Sequence, residues 1–347
     1  GNGKYFIHPF IPPNLAIHIN ALKLQDFATE VLSGKKNIRL IDKNVSSKEI
    51  DADLIIDCSG RPKEINDNFV LNDYVPTNAV HVTQCYWDYP RFDYSISDAT
   101  KNGWVFGIPL QERCSVGYLY NSNFCTLDDA KEDVKNIFDY YNLTPSENTN
   151  SFSIKSYRRK NFIEGNVCYN GNNCFFADPL EATTLVMCNA IATIALGVLD
   201  GEFSKGSVEF GEKVFRREYN AVTCMVMMHY FAGSIFKNKF WDYAKERANK
   251  CIIDTFKNDY TFRKYIEFCF LAMEDEDIIN NKVMRSTDDI FRSHDHIRKL
   301  QKYKKYFSSS SGIDSGFGSW TMFNWLFNIL ELECQDELRN LIVDTLK

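Results

Sequence analysis

Between Asn78 and about Ser122 the residues keep a period of two, and this stretch most limits what the chain can fold into. "AVHVTQCYW" (Ala79–Trp87), "WVFGIPL" (Trp104–Leu110) and "CSVGYLYNS" (Cys114–Ser122) are separated by polar or Pro/Gly turns. A period of two is that of a pleated strand with one face inward, so the three runs predict an antiparallel sheet. The chain on either side keeps a different rhythm. Upstream, "LAIHIN" (Leu15–Asn20) reads as a short strand, and Asn20 can cap a helix to about Ser33 with Leu22, Phe27, Ala28 and Val31 on one side. "NIRLID" (Asn37–Asp42) reads as a second strand. "DLIIDCSGRP" (Asp53–Pro62) reads as a third, apolar without a break, as a strand buried on both faces would be.

Downstream, Thr126 with Asp129 three places on opens a helix to about Tyr141, and strands are expected near Phe152–Tyr157 and Val167–Tyr169. Beyond Glu181 the pattern becomes helical. "ATTLVMCNAIATIALGVL" (Ala182–Leu199) is apolar enough for a helix buried nearly all round, and Val208–Phe236 reads as a long amphipathic one. "SSSSGIDSGFGS" (Ser308–Ser319) reads as a flexible loop, either a lid or a linker. The order is mixed α/β, then antiparallel sheet, then helices.

Composition removes several classes of function. A net charge of −6 with no basic stripe argues against a nucleic-acid binder, and a solvated face accounts for Lys302, Lys304 and Lys305. The 11 cysteines are scattered without a CxxC pair, which reads as reduced thiols in a cytoplasmic protein. His294 and His296 lack a third ligand, so no metal site is expected. No run is long and apolar enough for a membrane span.

Two stretches carry chemistry. In "NGNNCFFADPLEATTL" (Asn170–Leu185) a strand and a Gly-containing turn lead into a helix N-terminus, where free N–H groups and the positive dipole end suit an anion. Asp178-Pro179 sets the proline where it costs the helix nothing, and Glu181 lies in the first turn. A well-capped core helix would read the same way. In "NGWVFGIPL" (Asn102–Leu110) bulky aromatics, Gly107 and Pro109 could form a wall for a flat molecule, or face a core.

Taken together, these stretches resemble the flavin-dependent halogenases of the tryptophan-halogenase type. "GWVFGIP" (Gly103–Pro109) resembles that family's G-W-x-W-x-I-P signature, with Phe106 for the second Trp, and "RCSVGYLYNS" resembles the strand that follows it. "ADPLEATTL" resembles its D-P-L-E-S-T-G helix start, with Ala182 for Ser and Thr184 for Gly. "DLIIDCSGRP" resembles its strand ending in D-C-[ST]-G, and "VFRREYNAVTCMVMMHYFAGSIFKNKFW" its helix ending in H-Y.

The resemblance implies a flavoprotein-monooxygenase-like α/β fold. An FAD-binding Rossmann-type part would carry an antiparallel substrate sheet and a helical C-terminal part. The boundaries would be 1–77 and 166–206 for the FAD-binding part, 78–165 for the sheet and 207–347 for the helices. It implies FAD, reduced by a separate flavin reductase, and chloride or bromide as co-substrate. Hypohalous acid formed from halide and the flavin hydroperoxide would then halogenate an electron-rich aromatic substrate, an indole first among them. Glu181 would be catalytic. Gly60, Asp178, Pro179, Leu180 and Thr184 would bind cofactor, and Thr183 and Thr184 the halide. Trp104, Phe106, Ile108 and Pro109 would line the substrate side; the aromatics Tyr230, Phe231 and Trp241 are further candidates for that lining, and core packing accounts for them equally well.

No G-x-G-x-x-G occurs in the chain, and the family's glycine-rich fingerprint and catalytic lysine would lie upstream of Gly1. The chain is therefore expected to lack that segment and to hold FAD poorly alone. Two alternatives stand beside halogenation: a flavin monooxygenase on the same scaffold, and a non-catalytic remnant that binds an aromatic ligand. A homodimer is compatible with the sequence, which does not fix the oligomeric state.

Overall fold

A computed structural model describes residues 18–259, with the isolated positions 337, 340 and 341. The expected loop at Ser308–Ser319, the His294/His296 pair and the lysines at 302–305 lie outside the described residues, as does most of the "LAIHIN" strand. His18–Asn20 of that run are irregular. Helix α1 (Ala21–Ser33) begins where expected, because the Asn20 side chain accepts hydrogen bonds from the N–H groups of Leu22 and Lys23 at 3.0 and 3.4 Å. It buries no residue, and Leu22 is 72% exposed.

The "NIRLID" run is not a strand but irregular chain, with Ile38, Leu40 and Ile41 exposed. Among the described residues it has no neighbouring strand to complete the hydrogen bonds that an extended segment needs. The third expected strand does form, as β1 (Ile55–Asp57). Among the described residues it stands at one edge of a small sheet, and only one of its faces is covered, with Ile55 buried and Ile56 exposed.

The period-two region is as its rhythm predicts. After β2 (Phe69–Leu71) come β3 (Ala79–Tyr86), β4 (Ile96–Thr100), β5 (Gly103–Pro109), β6 (Arg113–Tyr120) and, past a helix, β7 (Pro145–Ser153). These last five form an antiparallel sheet in the order β4-β5-β6-β3-β7. Helix α2 (Leu127–Tyr140) has the expected capping box between Thr126 and Asp129, and packs Ala130, Val134 and Phe138 against Val105, Val116 and Tyr118 on one face of this sheet. The strand expected at Phe152–Tyr157 is split. β7 ends at Ser153, Ile154 N–H donates to the Asn78 carbonyl at 2.8 Å, and β8 (Tyr157–Arg159) joins another sheet.

β8 lies between β2 and β11 (Phe175–Phe176), while β9 (Ile163–Glu164) and β10 (Val167–Tyr169) complete the small sheet of β1, with β10 parallel to β1. Among the described residues three helices follow: α3 (Thr184–Asp200), α4 (Lys205–Ala232) and α5 (Lys239–Asn258). α4 and α5 bury Met225, Tyr230, Phe231, Phe240 and Trp241 on the second face of the large sheet, against Val80, Trp104 and Leu119. α3 is not buried nearly all round. Met187, Ile191, Ala195 and Val198 form one inward stripe toward α4 and the small sheet, while Leu185, Val186 and Leu196 are exposed. Only one side of this helix has a packed neighbour among the described residues.

Nine cysteines fall among the described residues; all are free thiols and seven are buried. No described helix is long and apolar enough to cross a membrane.

Candidate functional site

The loop before α3 is built around a buried acid. Asp178 is 1% exposed, and its carboxyl accepts three hydrogen bonds: from Leu180 N–H at 3.1 Å, Thr77 Oγ1 at 3.1 Å and Tyr230 Oη at 2.8 Å. Burial pushes this carboxyl above the ordinary aspartate range, although the three donors and the nearby His229 pull it back. Pro179 turns the chain into a single 3-10 turn, Leu180–Ala182, which carries Glu181.

Ala182 then takes φ +49°, the left-handed region that costs a residue with a Cβ about 1–2 kcal/mol. This break stops the 3-10 turn from running on smoothly into α3. Thr184 stands where the family's motif has Gly. It opens α3 in ordinary helical geometry, so the constraint falls on Ala182 alone.

Helix α3 begins without a side-chain cap. Thr183 is buried but makes no capping hydrogen bond, and the first helix bond runs from Met187 N–H to the Thr183 carbonyl at 3.0 Å. The N–H groups ahead of it have no acceptor within the helix, and they point out of its positive end. Thr184 and Leu185 at this end are exposed. An anion is the natural occupant of such an end.

A second corner lies at the carboxyl ends of the parallel pair β1 and β10, where ligands of α/β sheets bind. Asp57 accepts from Ser59 N–H at 3.0 Å, and Asn173 Nδ2 donates to Ser59 Oγ at 3.0 Å. Burial raises the Asp57 carboxyl, but bonds from Ser59 and Asn173 outweigh it and hold the group below its usual range. Gly60 sits at φ +93° with nothing within 4 Å of where a Cβ would stand. Asn170 ties this corner to the α3 side, since its N–H donates to the Asp57 carbonyl at 2.9 Å and its Nδ2 to the Cys188 carbonyl at 2.9 Å.

The β5 wall is only partly as expected. Alternation puts Trp104, Phe106 and Ile108 on the α4/α5 face, whereas Pro109 falls with Val105 on the opposite, α2 face. Pro109 therefore cannot share the wall. The Trp104 and Phe106 rings lie 6.1 Å apart, and Phe106 covers Gly117 across the strand pair; a Cβ there would meet the ring at 2.2 Å. Exposure rises along the wall from Trp104 at 5% to Ile108 at 39%.

Tyr230, Phe231 and Trp241 do not line an open face. All three are buried beneath Trp104 because α4 and α5 lie flat on the sheet there, and Trp241 Nε1 donates to the Thr100 carbonyl at 2.9 Å. The fold thus gathers Asp178, Leu180, Trp104, Phe106, Tyr230, Phe231 and Trp241 around one core, with Gly60 at the second corner. Thr77, Gly117 and Asn173 escaped sequence reading. Gly117 alone carried a signal, a glycine in the strand run that follows a strand rich in aromatics.

The fold seen here recurs in flavin-dependent halogenases. A tryptophan halogenase from Shewanella frigidimarina superposes with a TM-score of 0.56 at 17% identity, over 94% of this chain and 62% of that one. MibH, a lanthipeptide-type tryptophan 5-halogenase, gives 0.55 at 19% identity, over 68% of this chain and 50% of its own. A model of the tryptophan halogenase family matches residues 26–303, and the chain belongs to that family.

Among curated relatives, tryptophan 7-halogenase RebH of Lentzea aerocolonigenes is 26% identical over 201 residues, covering 49% of this chain and 37% of its own length. Tryptophan 6-halogenase ThaL of Streptomyces albogriseolus is 25% identical over 252 residues, covering 68% and 45%. The chain spans less than half the length of these two relatives.

Proposed function

We propose that this chain forms the halide-and-substrate side of an FAD-dependent halogenase acting on an electron-rich aromatic ring, an indole foremost. One observation carries the reading: the uncapped N-terminus of α3 begins three residues beyond Glu181, after a turn whose Leu180 packs in the Trp104 core and whose Asp178 is bonded to Tyr230 of that core. An anion-binding end and an aromatic wall are thereby held on one frame.

The residues present suit part of a flavin. The open Gly60 corner and the free N–H groups of α3 fit a planar group carrying negative charge. Bound reduced FAD would supply, with oxygen and a proton, the oxidising equivalent that converts halide to hypohalous acid, leaving oxidised FAD and water. The N–H groups at Thr183–Val186 would hold the halide. Trp104 would keep the ring on its own side of the wall. Substitution of a ring hydrogen by halogen releases water and needs no further oxidant. Glu181 would orient the hypohalous acid and take the proton that the ring loses. A flavin reductase is the partner that this chemistry needs.

The test supplies reduced FAD, oxygen, bromide and an indole, and reads the product by its bromine isotope pattern. Brominated product is expected, and Glu181→Gln should lower its rate about 100-fold or more. Hydroxylated product alone would replace this reading with a monooxygenase. Absence of any product across a panel of indoles, phenols and pyrroles would favour the non-catalytic alternative.

A further inference from the structure

The Tyr230 hydroxyl joins parts of the chain that are far apart in sequence. Its phenol is 2% exposed and donates to Asp178 Oδ2 at 2.8 Å, across 52 positions. Thr77, at the start of the large sheet, donates to the same oxygen at 3.1 Å. Asp178 Oδ1 receives the Leu180 N–H at 3.1 Å, so the carboxyl holds the first turn after Pro179 in place.

The Tyr230 phenol also shares its core with the Trp104 indole, whose buried Nε1 has no hydrogen-bond partner among the described residues. The Tyr230 ring also packs 6.2 Å from that of Trp241, which is bonded to the end of β4. One residue on the last turn of α4 therefore joins the turn that carries Glu181, through its hydroxyl, to the core that holds Trp104, through its ring. The phenol stays protonated, because burial and the facing carboxyl both push its ionisation well above the ordinary tyrosine range.

We infer that Tyr230 is a positioning residue: its hydroxyl sets the spacing between the Asp178–Thr184 turn and the Trp104 wall, and so governs how halide-derived oxidant meets the ring. This deepens the halogenase reading and rests on it for the consequence in turnover. The spacing itself can be tested without turnover. Removing the hydroxyl leaves Oδ2 with Thr77 as its remaining donor from another segment, while the ring still fills its place in the core. The turn should loosen without loss of the fold.

The test compares wild type with Tyr230→Phe, Asp178→Asn and the double variant. Hydrogen exchange of peptides spanning 176–187 should quicken about tenfold in Tyr230→Phe, with peptides of α5 unchanged. In turnover with bromide, the single variants should each lose about tenfold in product rate, with a raised bromide KM. The double variant should lose no more than the worse single one, because both remove the same bond.

Unchanged exchange in 176–187, or acceleration spread equally over α5, would overturn the positioning role. So would losses that multiply in the double variant. If wild type makes no halogenated product, the halogenase reading falls, and the exchange result alone decides whether Tyr230 fixes the turn.

Discussion

The two sides of this molecule use similar apolar sequence to opposite ends. On the large sheet, Trp104, Tyr230, Phe231 and Trp241 are enclosed by α4 and α5 and tied by hydrogen bonds to Asp178 and Thr100. Beside the small sheet, α3 leaves Leu185 77% exposed, and α1, elsewhere on the surface, buries nothing. Both sides are rich in Leu, Val, Ile and Phe, so hydrophobicity does not separate them. A second packed layer does. Apolar surface stabilises a fold only where another element removes it from water. The closed side can thus hold a rigid wall, while the open side carries the helix end and the Gly60 corner.

The sharpest way to break this contrast is Phe231→Ala, which should cost about 3–5 kcal/mol as a cavity opens under the wall. Urea unfolding monitored by circular dichroism would show it, and a loss below about 1 kcal/mol would mean that the closed side is looser than described. Next comes a pH effect at the boundary of the two sides. The Asp178 carboxyl is raised by burial, so the folded protein keeps its proton better than the unfolded chain does. Its contribution is present at low pH and is lost as pH rises past the ordinary carboxylate range through the raised folded value. The groups facing it are Tyr230 and His229 of α4, with Thr77. Asp178→Asn should flatten the fall of the melting temperature across that window, and an unchanged slope would contradict the burial.

A smaller effect is expected at Ala182, where glycine tolerates φ +49° without a Cβ clash. Ala182→Gly should raise stability by up to about 1 kcal/mol, and a loss would show that the break is held by something other than backbone conformation. The smallest belongs to the open side. Leu185→Ser should change unfolding free energy by no more than about 0.5 kcal/mol. A cost above about 1.5 kcal/mol would show that this face is covered in solution.

Much of the frame could be read from local pattern. The period of two gave β3, β5 and β6, and Asn20 and Thr126 marked helix starts that the structure reproduces with their capping bonds. "ADPLEATTL" read as one helix start with Glu181 in its first turn, whereas Glu181 stands in a separate 3-10 turn and α3 begins only at Thr184, beyond the break at Ala182. Errors arose where a segment's fate depends on a neighbour. "NIRLID" has the composition of a strand but no pairing partner among the described residues. Phe152–Tyr157 is divided because its two ends join different sheets.

Within the site the same division holds. Trp104 and Pro109 are five positions apart, an odd number, and so lie on opposite faces; the signature taken as one motif hid that. Tyr230, Phe231 and Trp241 looked like lining because they are aromatic, yet the seating of α4 and α5 makes them support.

By itself the sequence determined the period-two strands of the large sheet, the caps of α1 and α2 and the resemblance to the halogenases, since each depends on residues close along the chain. Tertiary structure alone decided which apolar faces are covered, that Ala182 takes a left-handed φ, and that Asp178 is paired with Tyr230 and Thr77. Those outcomes join segments 52 and 101 positions apart. Contacts at such separations are set by how whole layers pack, which no local pattern of residue types encodes.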